Sequence, residues 1–586
     1  MIYPAIPLAQ TVLELCKANQ IKHIVISPGS RNAPLTIGFS HDDYFTCYSI
    51  VDERVAAFFA LGMAQQIDSP VAIVCTSGSA LLNYYPAIAE AFYSDIPLVV
   101  ISADRPTDKI DIGDGQTIRQ TNVFANHIVY TANLKQDIPH QLAIHGDGKH
   151  QDLPLIDVSS TVQLYNEQEI SKALHAAFLE KGPVHINAPF EEPLYKTLHA
   201  PLVTVKEYPR PFHPDVISSE SLHQFVESWN TSKKKMILVG VLKPNSVEEK
   251  IIEYLAADSS VVVFTETTSN LHNDNFFPGI DKILAPIEQV PEELEKLQPE
   301  LLLTFGGMVV SKKIKAFLRK YSPKLHFHVD EKKAYDTFFC LTHHFKVTVN
   351  SFFSYAFDDL QKVDSNYQLY WLEVQKQRRI AHKAYASEIQ YSDFLVYDCI
   401  FHNLPNNQLL QLSNSSTIRY MQLFDLDASW TVFCNRGTSG IDGSTSTAMG
   451  ASIYSDTPTT LITGDLSFLY DSNGLWNNYV RKDMTIIVVN NGGGGIFRIL
   501  PGDKNTKEFD TYFETIHNKD ASHLAAMYGF EYVSASSKDE VVTQLTTVYD
   551  NVNNRNKPVI LEIFTPRLEN DEILISYFKY LRNHRA

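Results

Sequence analysis

The sequence predicts an α/β fold built from three doubly wound parallel-sheet domains. Short apolar runs typical of buried strands alternate with helical stretches along the chain. Many of these runs end at Gly, Ser, Asp or Asn, as expected for loops at the carboxyl ends of parallel strands. The chain has 586 residues and is 44% hydrophobic. That is enough for about three or four domains of ordinary size.

The first domain, predicted at 1–190, shows the strand–helix–strand rhythm of a parallel sheet. Its strands are predicted at residues 24–26, 48–51, 71–75, 98–102 and 184–186. Loops of small or polar residues follow several of them, as in Ser27-Pro28-Gly29. A proline-rich stretch at 200–214 is typical of a linker and follows this domain.

Two further α/β domains are predicted at 205–360 and 365–586. The central domain has a predicted helix at 246–257 and strands at 236–239, 260–264, 301–305 and 326–329. A polar helix at 367–386 leads into the last domain. Its strands are predicted at 409–412, 431–434, 460–463, 486–489 and 559–564.

Composition excludes several classes of protein. The formal net charge is −17, so we expect no nucleic-acid partner, and we expect the triplet Lys233-Lys234-Lys235 to lie in a solvated loop. The six cysteines form no C-x-x-C pair, which argues against a disulfide framework or a zinc site. No apolar run approaches the ~20 residues that span a bilayer, and the N-terminus does not resemble a signal peptide. We therefore expect a soluble, cytoplasmic protein.

Two polar positions follow apolar runs in the last domain. Asp465 comes after residues 460–463, and Asn491 comes about two dozen residues later, after residues 486–489. Because strand carboxyl ends line the ligand crevice of a parallel sheet, we expect both side chains to face a ligand. Their oxygens, with a backbone carbonyl near Gly493, suit Mg²⁺ or Ca²⁺, and such a cation often shares its ligand shell with phosphates. A capping Asp and a Gly-rich turn are the structural alternative.

The pair Gly464-Asp465 and Asn490-Asn491 resembles the signature of thiamine diphosphate-dependent enzymes. The resemblance implies that Asp465, Asn491 and the Gly493 carbonyl bind Mg²⁺ or Mn²⁺ on the cofactor diphosphate. It also implies that the three domains are the pyrimidine-binding, central and diphosphate-binding domains of that family. One departure is Leu466, where the family usually has Gly. By the same resemblance, the other cofactor-binding residues are Ser415, Ile441, Gly464, Leu466, Ser467, Gly494 and Ile496, with Ile441 lying under the bent cofactor.

Glu53 is the candidate for the carboxylate that this family places beside N1′ of the aminopyrimidine, where it activates the cofactor. It follows the predicted strand at 48–51 and opens an Ala-rich helix at 52–64. The alternative is structural, because acidic residues favour the first turn of any helix. In the family this glutamate often comes from a neighbouring subunit. The resemblance therefore implies a homodimer or homotetramer with active sites at subunit interfaces.

Other segments resemble one branch of the family, which acts in menaquinone or phylloquinone biosynthesis. The most specific are SPGSRNAPL at 27–35 and NRGTSGIDG at 435–443, and the resemblance spans essentially the whole chain. It implies decarboxylation of 2-oxoglutarate and 1,4-addition of the resulting succinyl carbanion to isochorismate. The same resemblance is carried by the segments at 102–106, 115–120, 414–419 and 495–501.

The implied substrates are dianions, which need fixed cations, and Arg binds carboxylates through two parallel hydrogen bonds. Four arginines follow predicted strands, namely Arg31, Arg105, Arg419 and Arg436. The pair Lys312-Lys313 matches a basic pair that is often Lys-Arg in the family. The alternative for each arginine is that it forms a surface or structural ion pair and does not bind substrate. The resemblance gives catalytic roles to Glu53, Arg31 and Gln116. It gives substrate binding to Ser30, Arg31, Arg105, Gln116, Lys312, Lys313, Asn414, Ser415, Arg419, Arg436, Ile496 and Phe497.

Three other functions fit parts of the sequence. Another thiamine diphosphate-dependent 2-oxoacid decarboxylase or carboligase would share Glu53, Asp465 and Asn491 but has little use for the four arginines. Of these, acetohydroxyacid synthases also bind flavin, and no Gly-rich fingerprint follows residues 236–239. A non-catalytic scaffold of this fold would not need every catalytic position. A nucleotide-binding dehydrogenase needs ordered G-x-G-x-x-G spacing, which the glycines at 492–495 lack.

Overall fold

The computed structural model describes residues 2–137, 161–212, 215–500, 502–552 and 554–584. The described residues form three large parallel sheets with helices beside them, which confirms the predicted α/β class. The chain groups into two compact units. The first unit comprises Met1–Phe212, Gly437–Asp456 and Asp471–Val480, and the second comprises His213–Arg436, Thr457–Tyr470 and Arg481–Ala586. The predicted domain limits stay a prediction, and residues 213–214 of the predicted linker and Pro501 lie outside the described residues.

The first sheet belongs to the first unit. The strands of this region are β1 (Tyr3–Pro4), β2 (His23–Ile26), β3 (Thr46–Ser49), β4 (Val71–Cys75), β5 (Leu98–Asp104), β6 (Tyr130–Asn133), β7 (Val184–Pro189) and β8 (Thr197–Leu198). Its helices are α1 (Pro7–Ala18), α2 (Ala33–His41), α3 (Glu53–Ile67), α4 (Ser79–Asn83), α5 (Tyr85–Ser94) and α6 (Thr161–Leu179). The sheet order is β3-β2-β4-β5-β7-β6 with all neighbours parallel, while β1 pairs with β8 antiparallel.

The proline-rich stretch after β8 packs on the first unit over part of its length. The Leu202 N–H donates a 2.7 Å hydrogen bond to Gln10 Oε1, and the Val203 side chain is buried. The Arg210 guanidinium lies 3.7 Å from the centre of the Phe178 ring. The described part of the predicted linker is therefore held by specific contacts.

The central sheet belongs to the second unit. Its strands are β9 (Lys235–Val239), β10 (Val261–Phe264), β11 (Leu301–Phe305), β12 (Leu325–Val329) and β13 (His343–Phe345). The helices around it are α7 (Ser219–Thr231), α8 (Glu249–Ala256), α9 (Ile280–Ile287), α10 (Pro291–Leu297), α11 (Lys312–Lys320) and α12 (Val349–Ala356). The order is β10-β9-β11-β12-β13, again parallel throughout.

One lysine of the triplet before β9 is not solvated, so that expectation was wrong for it. Lys235 is the first residue of β9 and is fully buried. Its Nζ lies 2.9 Å from Asp258 Oδ2 and 4.5 Å from the centre of the Trp229 ring. A buried ammonium is tolerated here because a carboxylate neutralises it and an aromatic face covers it.

The third sheet also belongs to the second unit. Its strands are β14 (Leu409–Leu412), β15 (Thr431–Cys434), β16 (Thr459–Gly464), β17 (Thr485–Asn490), β18 (Glu531–Ala535) and β19 (Val559–Phe564), in the parallel order β15-β14-β16-β17-β19-β18. The helices of this part of the chain are α13 (Tyr367–Glu388), α14 (Asp393–Asn403), α15 (Ser416–Met421), α16 (Ser444–Ser452), α17 (Asp465–Tyr470), α18 (Ile496–Ile499), α19 (Ser522–Tyr528), α20 (Lys538–Asp550) and α21 (Asn570–Asn583). Within the described ranges, no helix has both the length and the apolar surface needed to cross a membrane.

Helix α16 packs tightly on α3 within the first unit. A Cβ added at Gly62 would lie 2.0 Å from the Thr447 carbonyl oxygen, and one at Gly450 would lie 1.9 Å from that of Phe59. Both glycines are required because the two backbones approach each other directly. The contact joins the segment 437–456 to the helix that Glu53 begins.

Candidate active site

The carboxyl ends of β16 and β17 bring two predicted ligand residues together. The strands are parallel neighbours, Asp465 directly follows β16 and Asn491 directly follows β17. Asp465 Oδ2 accepts a 2.9 Å hydrogen bond from the Gly493 N–H, and Oδ1 accepts one of 2.7 Å from the Leu466 N–H. Asn491 Nδ2 donates to Asp393 Oδ2 at 2.9 Å. One buried carboxylate at the start of α17 thus joins the carboxyl end of β16 to the loop that follows β17.

The amide oxygen of Asn491 is suited to a cation. Asn491 Oδ1 is buried and accepts no hydrogen bond from a described residue. An unsatisfied buried acceptor costs about 1–3 kcal/mol, so it indicates a missing partner of positive character. The Asp465 carboxylate lies at the carboxyl end of β16, and the Gly493 carbonyl lies on the same loop as Asn491. Oxygen ligands of these three kinds suit a hard divalent cation.

The loop after β17 packs backbone to backbone against Glu514. The Gly494 N–H donates to the Glu514 carbonyl at 2.6 Å, and a Cβ on Gly493 would lie only 2.6 Å from the same oxygen. The Glu514 carboxylate is fully buried and forms ion pairs with Arg498 and Arg567. Position 493 therefore requires glycine, and the segment that packs on it is itself fixed by two arginines.

The other predicted cofactor residues of the second unit lie at adjacent strand ends. Ser415 follows β14, the parallel neighbour of β16, and has a left-handed backbone with φ of 68°. Phe497, which was predicted to bind substrate, lies in α18, where its ring packs edge-on against Phe513 with 6.0 Å between ring centres. Of the remaining predicted residues, Gly464 ends β16, Leu466 and Ser467 lie in α17, Gly494 lies on the loop after β17 and Ile496 begins α18.

Two of the predicted arginines share one region of the second unit. Arg436 Nη1 donates to Asn414 Oδ1 at 2.6 Å, and Asn414 Nδ2 donates to the Asn435 carbonyl at 2.7 Å. Burial lowers the pKa of Arg419, the nearby charge of Arg436 lowers it further, and Asp281 opposes this. The structure therefore brings Asn414, Arg419 and Arg436 together, as a site for an anion requires.

Helix α11 presents three cations on one face. Lys312, Lys315 and Arg319 follow the i, i+3, i+7 spacing of a single helical stripe. Burial lowers the pKa of Lys315; Glu266 opposes this change, while Arg436 and then the other two cations of the stripe add to it. Neither Lys312 nor Lys315 forms an ion pair with a described residue. Lys315 thus belongs to the same positive region as Arg436, although the sequence analysis did not select it.

Lys313, the second lysine of the predicted pair, has a different partner. Its Nζ lies 2.8 Å from Glu288 Oε2 and 5.8 Å from the centre of the Phe578 ring. Successive helical residues are about 100° apart, so Lys312 and Lys313 lie on different faces of α11. The structure does not bring Lys313 into the stripe, and its predicted role in substrate binding stays a prediction.

A buried glutamate holds the start of α11. The Glu266 carboxylate accepts the Val310 N–H at 2.5 Å and the Ser311 N–H at 2.7 Å. Burial raises the pKa of Glu266 to about 7, against the effect of these two hydrogen bonds. Ser311 in turn caps the helix, with its hydroxyl accepting the Ile314 N–H at 3.2 Å. Glu266 therefore fixes the position from which the cationic stripe begins.

Ser30, Arg31 and Arg105 line one cavity of about 560 Å³ in the first unit. Arg31 is buried, with Nη1 donating to the Phe190 carbonyl at 3.1 Å and Nη2 lying 3.3 Å from Glu192 Oε1. The buried Nε atoms of Arg31 and Arg105 have no hydrogen-bond partner in the part of the chain that the structure describes. These donors suit an anion in the cavity.

Gln116 lies on an exposed loop whose other end is buried. Ser77 Oγ donates to the Gln116 carbonyl at 3.0 Å, and Gln116 has a left-handed backbone with φ of 55°. Gln120 accepts the Gly78 N–H at 3.0 Å and donates to Asn187 Oδ1 at 2.8 Å. The loop is thus attached to the residues after β4 and to β7, and the predicted role of the Gln116 side chain stays a prediction.

Glu53 occupies the first position of α3. Asp52 caps the helix by accepting the Val55 N–H at 3.2 Å. Burial raises the pKa of Cys75 and of Tyr84, and the nearby charge of the half-buried Glu53 carboxylate raises both further. A carboxylate at a helix start, beside buried groups that stay neutral, can exchange a proton with a ligand nitrogen within its reach.

Glu90, another residue that the sequence analysis missed, holds the NRGTSGIDG segment. Its buried carboxylate accepts the Gly437 N–H at 2.7 Å, the Thr438 N–H at 2.6 Å and the Thr438 hydroxyl at 2.8 Å. Ser94 Oγ also donates to it at 2.7 Å. Ile441, three residues after Thr438, is 37% exposed. Glu90 thereby fixes the first residues of the loop that carries Ile441.

Two family models match the chain. The model described as thiamine pyrophosphate enzyme, N-terminal TPP binding domain, matches residues 6–128, and the corresponding C-terminal TPP binding domain matches residues 415–563. Thiamine pyrophosphate is another name for thiamine diphosphate. The first range contains Glu53, and the second contains Asp465, Asn491 and Gly493.

Curated relatives named 2-succinyl-5-enolpyruvyl-6-hydroxy-3-cyclohexene-1-carboxylate synthase match over 96–100% of their length. The protein of Christiangramia forsetii is 54% identical over 100% of both chains. That of Flavobacterium psychrophilum is 54% identical over 99% of this chain and 100% of its own, and that of Porphyromonas gingivalis is 37% identical over 97% and 96%. The chain therefore belongs to the thiamine pyrophosphate enzymes, in the family of 2-succinyl-5-enolpyruvyl-6-hydroxy-3-cyclohexene-1-carboxylate synthases.

Proposed function

We propose that the protein decarboxylates 2-oxoglutarate and adds the resulting succinyl group to isochorismate in a 1,4 sense. The products are 2-succinyl-5-enolpyruvyl-6-hydroxy-3-cyclohexene-1-carboxylate and CO₂, in menaquinone or phylloquinone biosynthesis. The observation that carries the proposal is 54% identity over the whole chain to relatives with that printed name. The clustered cations support it, because each substrate carries two carboxylates.

Bound thiamine diphosphate supplies the electron sink for cleavage of the bond to the departing carboxylate. We assign its diphosphate, with Mg²⁺ or Mn²⁺, to Asp465, Asn491 and the Gly493 carbonyl. The unsatisfied Oδ1 of Asn491 supports this assignment. The backbone contact with Glu514 also supports it, since it holds the Gly493 loop in place. The assignment extends to the neighbouring residues Ser415, Gly464, Leu466, Ser467, Gly494 and Ile496.

Glu53 is proposed to hold and return a proton at the aminopyrimidine ring. Its position at the start of α3, only half-buried, leaves the carboxylate accessible to a ligand. Ile441 is proposed to support the cofactor by packing against it. Covering the exposed part of this side chain with a ligand is favourable by about 25 cal/mol per Å² of apolar surface.

Substrate carboxylates are proposed to bind the clustered cations. In the second unit these are Lys312, Lys315, Arg419 and Arg436, with Asn414 beside the last. In the first unit, Ser30, Arg31 and Arg105 line the cavity, and the Nε donors of both arginines have no described acceptor. Gln116, Ile496 and Phe497 complete the proposed set. Fixed cations of this kind offset the repulsion that a chain with net charge −17 exerts on a dianion.

The proposal includes a homodimer or homotetramer in the cytoplasm with active sites shared between subunits. All six cysteines are described and none forms a disulfide, which supports a reducing compartment. Mixing inactive Glu53→Gln and Asp465→Ala subunits tests shared sites, because a mixed pair then holds one site with both residues intact. Recovered turnover supports sharing, and no recovery in a verified mixed oligomer contradicts it.

The deciding experiment supplies thiamine diphosphate, Mg²⁺, 2-oxoglutarate and isochorismate to the purified protein and follows isochorismate absorbance. Loss of absorbance that requires all four components supports the proposed reaction. Consumption of 2-oxoglutarate while isochorismate persists points instead to a simple 2-oxoacid decarboxylase. Cofactor binding without turnover of either substrate points to a scaffold.

A further inference from the structure

His517 lies against the carboxylate to which we assign the metal. Its Nε2 is 3.2 Å from Asp465 Oδ2, and its side chain is only 10% exposed. The backbone N–H of His517 donates to the Gly492 carbonyl at 3.0 Å, which ties the residue to the loop after β17. The imidazole therefore occupies the same small region as Asp465 and Gly493.

The contacts of the imidazole indicate which nitrogen carries the proton. Nδ1 accepts the Lys519 N–H at 3.1 Å, so the proton of the neutral ring is on Nε2. Nε2 has no hydrogen-bond partner among the described residues, because its close contact with Asp465 is poorly aligned. A buried donor thus faces a buried carboxylate and lacks only alignment.

We propose that His517 is a positioning residue for the metal site, whose Nε2–H donates to Asp465 Oδ2 when a divalent cation binds this carboxylate. The inference rests on the proposed assignment of the metal to Asp465. Metal-binding carboxylates are oriented by hydrogen bonds from neighbouring groups, and losing such a bond commonly weakens metal affinity. The N–H groups of Leu466 and Gly493 already hold the carboxylate from the backbone. The imidazole adds a side-chain donor to these two backbone donors.

The test measures Mn²⁺ affinity by the electron paramagnetic resonance of free Mn²⁺, at saturating thiamine diphosphate and without substrate. His517→Leu removes the donor, while His517→Gln keeps an N–H at similar reach. His523→Leu is the matched control, since His523 is an exposed residue of α19. Asp465→Ala reports on the metal assignment itself. The melting temperature of each variant without cofactor shows whether it folds.

We expect His517→Leu to weaken Mn²⁺ affinity about 10- to 100-fold. His517→Gln should stay within about threefold of wild type, and His523→Leu should not differ from it. Wild-type affinity in His517→Leu overturns the inference. Equal losses in the Leu and Gln variants also overturn it, because the shape of the ring and not its donor then matters.

The two proposals fail in different ways. If the wild-type protein binds thiamine diphosphate and Mn²⁺ but converts neither substrate, the proposed reaction fails while the role of His517 stands on the binding data. If Asp465→Ala binds Mn²⁺ as wild type does, the metal assignment fails and the inference fails with it.

Discussion

Replacing Glu90 with Gln tests how the loop before Ile441 is held. Each oxygen of the wild-type carboxylate accepts one backbone N–H and one hydroxyl. Oε1 accepts hydrogen bonds from the Gly437 N–H and the Ser94 hydroxyl, and Oε2 accepts them from the N–H and the hydroxyl of Thr438. Gln has nearly the same shape, but its NH₂ group cannot accept. Whichever way the amide turns, one partly buried backbone N–H meets a donor, while the hydroxyl on that side can rotate and accept.

The expected magnitude follows from this count. A hydrogen bond to a charged acceptor contributes about 1.5–3 kcal/mol, and a neutral one about 0.5–1.5 kcal/mol. The variant loses one charged bond to a backbone N–H, and the opposite N–H keeps only a neutral acceptor. We expect the loop to be less stable by about 2–4 kcal/mol, which corresponds to a factor of about 30 to 900 in its opening equilibrium.

Hydrogen exchange is the appropriate assay, because the chain has more than one compact unit and a single unfolding midpoint would mix them. The amides of Gly437 and Thr438 should exchange about 30 to 900 times faster in Glu90→Gln. Ser94→Ala removes a hydroxyl donor that lies on the same helix as Glu90, so its bond does not break when the loop opens, and the variant should accelerate them about 10-fold or less. Exchange within about threefold of wild type in Glu90→Gln would refute the reasoning.

Three further substitutions follow from the site and the core. Glu53→Gln should lower kcat about 100- to 10,000-fold, because an amide cannot take up the proton, while calorimetry shows thiamine diphosphate affinity within about threefold of wild type; near-wild-type turnover would contradict the assignment. Lys315→Ala should raise KM for 2-oxoglutarate about tenfold, whereas Lys313→Ala, whose ammonium pairs with Glu288, should change it less than about twofold. Equal effects of the two lysine variants would show that the faces of α11 do not matter. Burial lowers the pKa of His185 to about 3. Between pH ~6.5 and pH 5 this imidazole is therefore protonated only in the unfolded chain, which lowers the free energy of unfolding by about 2 kcal/mol at pH 5. Hydrogen exchange of the β7 amides, corrected for the pH dependence of intrinsic exchange, should show less loss of stability between pH 7 and pH 5 in His185→Gln by that amount. An unchanged pH dependence would be inconsistent with a buried neutral imidazole.

The interior strands of each sheet could be predicted from sequence, and several edge strands could not. Strands β4, β11 and β17 are buried along their whole length, so each is a continuous apolar run. The strands β6, β13 and β18 were missed, and each lies at the edge of its sheet. In β6 only Ala132 is buried. An edge strand is covered on fewer sides, so its sequence need not carry the apolar signal.

The same distinction holds for the candidate site. Asp465 and Asn491 could be found because each follows an interior strand that the sequence marks clearly. The helical spacing from Lys312 could have indicated Lys315, but separating it from Lys313 required the faces of α11. Glu90 had no local signal, because its backbone partners are 347 and 348 residues away along the chain. Only folding brings such pairs together.

Three buried carboxylates share one arrangement that explains how an acidic chain keeps cations available. Glu90, Glu266 and Asp465 each accept two backbone N–H groups from a loop or a helix start. Loop amides at strand ends otherwise lack acceptors, and one carboxylate satisfies two of them. Glu266 is the clearest example. Its negative charge raises the pKa of Lys315, while its two oxygens accept backbone N–H groups. Burial raises the pKa of Glu266 to about 7, which further limits its negative charge near neutral pH. Acidic groups used in this way hold the loops without forming ion pairs with the cations that substrate carboxylates need.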